Sequence, residues 1–478
     1  MDTEGDKLNF KLLAPPSYLP TLGSMQDKNV SYFGCTNFVQ GLYSQKEIFG
    51  LKRADRNRHM YVIGKRGMGK SCLLEQLIRF DIAGGYGVAV IDPHGDLAKN
   101  LLEFIPDKRI NDTIYIDPGN TDKPIAFNPF ASVPSEFRQI VTRELIEIFK
   151  KQFESNWSAR IEHVFRFATL ATLEDPEGTL YGLMQMLIDS DYRKRVVEHI
   201  SDEVVRRFFT VEYAAFSQKY DQEAITPLVN RLGQFFADPL MRAIFSQKEN
   251  KIDFDDIMNN GRVLIFNASK GTLGEENSAF FASFFLTKIS QTAMARTKIS
   301  QDKRKDFYLY VDEFQNVANK TFSTLFSESR KYGVNITVAN QYLSQIPVEL
   351  MESVFGNIGT LISFRIGGAD AQRLVQEFQP LVESEDLINL GMREFYIKMA
   401  IDGKTSQPFS AVTIKLPAIK NIERGEKIKK CSIDKYSRDM IKEAPVLAPI
   451  PNIATEIMER VDEEPSVNDS FMDLPPPV

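Results

Sequence analysis

One short segment constrains the fold of this chain more than any other. The sequence GKRGMGKS at 64–71 fits the pattern G-x-x-x-x-G-K-[ST], follows an apolar run at 60–63 and precedes apolar residues at helical spacing. Such a strand, loop and helix wraps backbone amides around a phosphate, because glycine leaves room where the loop turns tightly. The residues predicted to bind nucleotide phosphates are Gly64, Lys65, Arg66, Gly67, Met68, Gly69, Lys70 and Ser71.

Two side chains of this loop carry specific chemistry. Lys70 is expected to bring positive charge to the β- and γ-phosphates, and the Ser71 hydroxyl is a ligand for Mg²⁺. The helix that follows points its N-terminus at the anion. The alternative interpretation is a glycine-rich turn between a strand and a helix that binds no nucleotide.

Apolar runs and helical segments alternate on both sides of a long interruption. Short apolar runs at 60–63, 88–91 and 113–116 are separated by helical patterns, and further runs follow at 262–266, 307–311, 336–339 and 360–364. This alternation is typical of an α/β fold, with a mainly parallel sheet and crossover helices. Between the two halves, apolar residues recur only at helical spacing, which predicts an all-helical insertion.

These patterns divide the chain into five predicted segments. They are a lead-in with a β-hairpin at 1–57, the first half of the core at 58–133, the all-α insertion at 134–250, the second half of the core at 251–415, and a linker with an acidic, proline-rich tail at 416–478. The end of the tail has the composition of a disordered segment.

An acidic pair ends one of the predicted strands. Asp312 and Glu313 follow the apolar run FYLYV, and ligands of parallel sheets bind at the carboxyl ends of the strands. Asp312 is expected to hold Mg²⁺, and Glu313 to orient and polarise an attacking water. The alternative is a solvated acidic turn. Asp92 and Asp96 also lie at a strand end, where they contact water near the γ-phosphate or cap the next helix.

Three further polar residues lie at the ends of elements. Gln341 follows the run at 336–339 and is expected to contact the γ-phosphate, whereas Arg330 ends a helix and is expected to reach the nucleotide of a neighbouring subunit. Arg365 ends the run at 360–364 and is a weaker candidate. An arginine near a helix C-terminus can instead simply stabilise the helix dipole.

Composition and charge exclude several classes of protein. The 478 residues include 35 Phe and only three separated Cys, which excludes a wholly disordered chain and a disulfide framework. No apolar stretch approaches the ~20 residues that a membrane helix needs, and the N-terminal residues do not resemble a signal peptide, so we expect a cytoplasmic protein.

Charge alone leaves a nucleic-acid partner open. The net charge of -6 argues against one, but residues 456–478 hold seven acidic residues against one basic, so the rest of the chain is neutral. Basic clusters lie at 51–70, with seven basic residues against one acidic, and at 296–305, with five against one. Such clusters contact phosphates of nucleic acid or form a solvated surface.

Several motifs together resemble one family. The loop GKRGMGKS, IDPHGDL, FNPF, RVLIFNASKG, LYVDEFQN and ESRKYGVNITVANQYLSQ occur in the order found in type IV secretion coupling proteins of the TraD/TraG type, within the HerA–FtsK superfamily of DNA pumps. The resemblance covers roughly residues 32–414. Membrane-anchored members carry N-terminal transmembrane helices, which this sequence does not show, and DPHGD replaces their DPKGE-like phrase.

The resemblance implies a fold, partners and residue roles. It implies a RecA-like core, a homo-hexameric ring with ATP and Mg²⁺ at the subunit interfaces, and DNA in a central pore. It implies that the all-α domain faces secretion or relaxase partners. Lys70 and Ser71 match the family's phosphate-loop ligands, and Asp312 and Glu313 match its metal-binding and catalytic acids. Arg330 matches the arginine that acts in trans, and Gln341 the sensor.

Three functions fit these observations. The first is an ATP-driven DNA translocase of conjugative or type IV secretion type, for which DNA should stimulate hydrolysis. The second is a protein-secretion ATPase of a type IV system, for which a substrate protein should stimulate it. The third is a nucleotide-gated scaffold that recruits cargo and binds nucleotide without turnover.

Overall fold

The computed structural model describes residues 10–23, 27–38, 46–131, 133–153, 157–213, 225–318, 320–415, 417 and 421–439. Its strands are β1 (Val30–Thr36), β2 (Ile48–Lys52), β3 (Met60–Ile63), β4 (Gly87–Asp92), β5 (Thr113–Ile116), β6 (Val263–Asn267), β7 (Phe307–Val311), β8 (Val334–Asn340), β9 (Thr360–Ser363), β10 (Glu394–Lys398), β11 (Ala400–Ile401), β12 (Lys404–Thr405) and β13 (Phe409–Thr413). All but β11 and β12 join one 11-stranded sheet.

The sheet has a parallel half and an antiparallel half. Its order is β2-β1-β13-β10-β9-β3-β8-β7-β4-β6-β5, and the strands from β9 to β5 run parallel. These parallel strands are buried along their whole length, which explains why the sequence shows them as continuous apolar runs. The predicted N-terminal hairpin is the antiparallel pair of β1 and β2, which extends the sheet beyond β13.

Helices cover the sheet and fill the interruption between its halves. They are α1 (Arg53–Arg56), α2 (Lys70–Ala83), α3 (Asp96–Phe104), α4 (Arg138–Phe153), α5 (Ala159–Glu174), α6 (Leu180–Ile188), α7 (Ser190–His199), α8 (Glu203–Arg207), α9 (Thr226–Ala237), α10 (Pro239–Phe245), α11 (Phe254–Asn259), α12 (Lys270–Leu273), α13 (Glu275–Ala295), α14 (Lys320–Glu328), α15 (Val348–Asn357), α16 (Gly368–Leu374), α17 (Ser384–Asn389) and α18 (Ile422–Tyr436). Between β5 and β6 the described residues form helices and turns, with α4 to α10 in the predicted insertion.

The insertion shares its core with helix α13. The ring of Phe280 on α13 lies 5.1 Å from that of Phe149 on α4, and Phe281 stacks on Phe245 of α10 at 5.0 Å. The α4 residue Glu144 accepts a hydrogen bond from Gln291 of α13 at 2.9 Å. The insertion is therefore packed directly against a helix of the α/β core.

The segment predicted to be a linker contains a helix. Helix α18 lies against β5, the edge strand, and the Ser432 hydroxyl accepts a hydrogen bond from the backbone amide of Tyr115 at 2.9 Å. An edge strand exposes backbone groups that have no partner in the sheet, and α18 covers this side of β5. The segment predicted as linker and tail at 416–478 therefore contains a helix, which the sequence pattern did not indicate because α18 buries only Gly425, Ile428 and Ser432. The end of the tail at 461–478, which is predicted to be disordered, lies outside the described residues.

Candidate nucleotide site

The glycine-rich loop lies at the carboxyl end of β3, between the neighbouring strands β8 and β9. Gly67 and Gly69 have positive φ angles of 79° and 123°, which favour glycine. Gly64 is required for another reason, since a Cβ atom there would lie 2.5 Å from the Cβ of Phe364. The loop is tied to β9 by the amide of Lys65, which donates to the Arg365 carbonyl at 2.8 Å.

Lys70 begins helix α2 and turns its side chain back into the loop. Its ammonium donates to the carbonyl oxygens of Gly64 at 2.5 Å and Lys65 at 3.4 Å. Burial lowers the pKa of Lys70, while the nearby charges of Glu313 and Asp312 act in the opposite direction. Together with the N-terminus of α2, this cation makes the loop a site for an anionic group.

Asp312 lies directly after β7 and is buried. Burial and the charges of Glu313 and Asp92 raise the pKa of Asp312 to about 7. A carboxylate crowded by other carboxylates favours a bound cation, which suits the predicted Mg²⁺ role of Asp312 and Ser71. No group of three or more His, Cys, Asp or Glu side chains in the described part of the chain is arranged to hold a metal. Mg²⁺ at nucleotide sites takes one or two protein ligands and the rest from phosphate and water, which fits the pair Ser71 and Asp312.

Glu313 is fixed by side chains from three elements. Its carboxylate accepts hydrogen bonds from Nε2 of Gln341 and from Nε2 of Gln315, both at 2.6 Å, and His94 Nε2 lies 3.8 Å from Oε1. Burial by itself raises the pKa of Glu313, but His94, Gln315, Gln341 and the charge of Lys70 lower it to about 2. The carboxylate is therefore ionised at neutral pH, and it suits orientation of a water better than complete removal of a proton.

These residues line one cleft of about 470 Å³ at the carboxyl edge of the sheet. The cleft brings together Lys70, Ser71, Asp312, Glu313 and Gln341, as well as Arg66, Gly67 and Gly69 of the loop. Strand β8 lies between β3 and β7, so the residue that follows β8 falls between the loop and the acidic pair. This topology explains the position of Gln341.

Arg330 lies at the opposite edge of the sheet. It belongs to a 3-10 turn, Ser329–Tyr332, that precedes β8, whereas Gln341 follows β8. At roughly 3.3 Å per residue, the seven residues of β8 separate the two by about 20 Å. The exposed Arg330 side chain therefore cannot reach the cleft of its own chain.

The weaker candidates lie in or beside the cleft. The Asp92 carboxylate accepts backbone hydrogen bonds from His94 and from Ala98, both at 2.9 Å, so it caps the turn into α3, and both Asp92 and Asp96 also line the cleft. Arg365 contacts the loop through its backbone carbonyl, and its side chain is half-buried.

Three residues of the site escaped the sequence analysis. Gln315 and His94 lie beside motifs that were recognised, but only the fold shows that both reach Glu313. Arg393 comes from the distant β10 region, lines the cleft and donates its amide to the Met68 carbonyl at 2.8 Å. No signal in the sequence connects Arg393 to the loop.

Part of each basic cluster is internal, so counting charges overestimated the surface available to nucleic acid, although Arg66, Lys298, Lys303 and Lys305 are exposed. Arg53 and Arg56 form buried ion pairs with Asp81. Arg296 is fully buried, with its guanidinium on the carbonyl oxygens of Met258, Lys305 and Tyr332. These arginines stabilise the fold and are not free to bind phosphates of a nucleic acid.

Two family models match the sequence in consecutive regions. Residues 53–289 match the family described as "Helicase HerA, central domain", and residues 306–377 match "TraM recognition site of TraD and TraG". No curated protein matches the sequence significantly.

Several solved structures share the fold. The plasmid coupling protein TrwB in complex with ADP and Mg²⁺ is 14% identical, with a TM-score of 0.59 over 79% of this chain and 90% of that chain. The TrwB complex with a non-hydrolysable ATP analogue is also 14% identical, with a TM-score of 0.58 over 78% and 89% of the two chains. VirB4 of Thermoanaerobacter pseudethanolicus is 15% identical, with a TM-score of 0.50 over 75% and 89%.

The likeness to TrwB confirms the predicted RecA-like fold with its phosphate-binding loop. Within the described residues, the helices are too short or too polar to cross a membrane. The two family models and this shared fold support a type IV coupling protein of the HerA–FtsK superfamily.

Proposed function

We propose that the chain hydrolyses ATP to drive DNA through a ring of identical subunits, as a conjugative or type IV secretion coupling protein. The observation that carries the proposal is the position of Glu313. Its ionised carboxylate is held by Gln341 and Gln315 in the cleft where the loop presents Lys70 and Ser71. This is the arrangement that in-line attack of water on a γ-phosphate requires.

Five side chains of the cleft have roles in this reaction. Lys70 exchanges its carbonyl partners for the β- and γ-phosphates of ATP, and Ser71 and Asp312 hold Mg²⁺. The metal ion neutralises charge on the phosphates when it is bound. Glu313 orients the attacking water, and Gln341, hydrogen-bonded to Glu313, senses whether the γ-phosphate is present.

The position of Arg330 supports an oligomer. Because Arg330 is exposed at the edge of the sheet opposite its own cleft, it can act only on a nucleotide bound by another copy. A closed ring, which we propose to be a hexamer, gives every cleft an arginine from its neighbour. Without that cation, the charge developing in the transition state is less well stabilised.

The choice of DNA as the translocated partner rests on the family. The matching models describe a helicase domain and a TraM recognition site, and the similar structures include a plasmid coupling protein. We propose that DNA lies in the pore and that the all-α segment at 134–250 faces relaxase or secretion partners.

The substrate is tested by measuring ATP hydrolysis alone and with single-stranded DNA, double-stranded DNA or a candidate substrate protein. We expect DNA to stimulate turnover and Lys70→Ala to abolish it. Turnover indifferent to DNA but raised by a protein would identify a protein-secretion ATPase instead. Nucleotide binding without turnover in the assembled oligomer would identify a scaffold.

The shared site is tested by mixing two inactive variants. Arg330→Ala and Glu313→Gln subunits should each be nearly inactive alone, yet mixed oligomers regain activity at interfaces that combine an intact Glu313 with a neighbour's intact Arg330. Lys331→Ala, a change in the adjacent exposed residue, is the matched control and should remain active. Mixtures that stay inactive although subunits exchange would contradict action in trans.

A further inference from the structure

The backbone that carries Glu313 is held in an unusual conformation. Glu313 has a φ of 47°, in the left-handed region that non-glycine residues seldom adopt, and the 3-10 turn Phe314–Asn316 follows it. Such a conformation persists only where the surrounding structure enforces it. Part of that enforcement is local, since the Asn316 side-chain amide donates to the Glu313 carbonyl at 2.9 Å.

Two lysines from distant parts of the chain also hold this turn. Lys151, on α4 of the insertion, donates its ammonium to the carbonyl oxygens of Gln315 at 3.1 Å and Asn316 at 2.9 Å. Lys270, which begins α12, lies 3.3 Å from the side-chain oxygen of Asn316. A cation on the last carbonyl groups of a helical turn stabilises that turn.

The contact of Lys151 is a direct connection between the insertion and the catalytic turn. Residue 315 supplies both the Gln315 carbonyl that Lys151 binds and the amide that holds the Glu313 carboxylate. Helix α4 also packs on α13 through Phe149 and Phe280, so a shift of α4 relative to the core would move the ammonium relative to the turn. Lys151 is not among the residues that line the nucleotide cleft, so it can affect Glu313 only through the turn.

We infer that Lys151 is a positioning residue, through which the helical insertion controls the placement of Glu313 and hence the rate of ATP hydrolysis. The inference rests on the proposed catalytic role of Glu313. Binding of a partner to the insertion can then change turnover without touching the nucleotide.

The test compares substitutions at neighbouring positions of α4 in the full chain. Lys151→Ala is expected to lower kcat for ATP about tenfold and to leave KM unchanged, because a small misplacement of a catalytic group slows the chemical step. Lys151→Arg, which keeps a cationic donor, should restore most of the activity. Lys150→Ala removes the exposed charge next to it and should behave as the unsubstituted protein.

The outcomes separate this inference from the proposed function. If Glu313→Gln abolishes turnover but Lys151→Ala has the kcat of the unsubstituted protein, the inference is wrong and the proposed function stands. An equal loss in Lys150→Ala, or a higher KM with unchanged kcat, would also overturn it. If Glu313→Gln retains full turnover, the proposed role of Glu313 fails first. Far-ultraviolet circular dichroism and thermal unfolding of each variant show whether a loss reflects misfolding.

Discussion

Removal of the Asp81 carboxylate should destabilise the protein severely. Asp81, at the C-terminal end of α2, is fully buried and accepts hydrogen bonds from Arg53 at 2.8 Å, Arg56 at 2.7 Å and the Tyr310 hydroxyl at 2.5 Å. In Asp81→Ala, two buried guanidinium groups lose the anion that they share. Breaking a buried ion pair in this way costs about 3–5 kcal/mol.

The structure supports a loss within this range. The Arg53 guanidinium lies 3.7 Å from the centroid of the Tyr86 ring, and that of Arg56 lies 4.2 Å from the Tyr308 ring. These cation–π contacts each contribute about 2 kcal/mol or less and persist in Asp81→Ala. They therefore do not add to the loss of stability, and they do not replace the missing carboxylate. Since α2 follows the phosphate-binding loop and Tyr310 lies on the strand before Asp312, we expect ATP turnover to fall as well.

The assay is urea unfolding followed by circular dichroism, with Tyr310→Phe as the matched control. Tyr310→Phe removes one hydroxyl from the same cluster without changing its charge; because this hydroxyl bonds to the charged Arg56 and Asp81, its loss should cost about 1.5–3 kcal/mol. The reasoning is refuted if Asp81→Ala costs no more than Tyr310→Phe. In that case the buried arginines would find other partners, and the cluster would not fix α2 against β7.

Two further predictions concern the loop and the start of β3. Gly64→Ala should weaken binding of a non-hydrolysable ATP analogue at least tenfold in calorimetry, because its Cβ would lie 2.5 Å from Phe364. The control is Gly233→Ala, which should bind normally because nothing lies within 4 Å of the added Cβ. Equal affinities of the two variants would contradict this reasoning. Burial, with a contribution from the charge of Arg330, lowers the pKa of His59 to about 4 from 6.5. As the pH falls, His59 is protonated in the unfolded chain before it is protonated in the folded one. The neutral, buried His59 therefore contributes up to about 3 kcal/mol to the free energy of unfolding above pH 6.5, and this contribution is lost as the pH falls towards 4. His59→Asn should flatten this dependence in urea titrations at a series of pH values, and an unchanged slope would argue against it.

The sequence was most informative where chemistry and chain order coincide. The loop at 64–71, the acidic pair and Gln341 each end a strand, and the ends of parallel strands meet at one edge of the sheet. Their proximity could therefore be predicted without any knowledge of side-chain positions. The hydrogen bond between Gln341 and Glu313 agrees with the predicted proximity of the two residues.

Features that depend on distant packing could not be predicted. The charges of Arg53 and Arg56 looked like a surface cluster because their partner, Asp81, is remote in sequence and meets them only in the fold. Helix α18 was missed since its weakly apolar sequence gains a partner only when β5 is present as an edge. Lys151 belongs to no recognisable sequence motif, and its hydrogen bond to the turn after Glu313 forms only when the insertion packs on the core.

The most direct test of the account is the rate of phosphate release from ATP, with and without DNA, in the unsubstituted protein and in Glu313→Gln. We predict DNA-stimulated hydrolysis in the unsubstituted protein. Glu313→Gln should bind ATP with unchanged affinity and hydrolyse it at least about a hundredfold more slowly, since it removes the charge that we propose orients the water. Hydrolysis by Glu313→Gln at the unsubstituted rate would contradict the account.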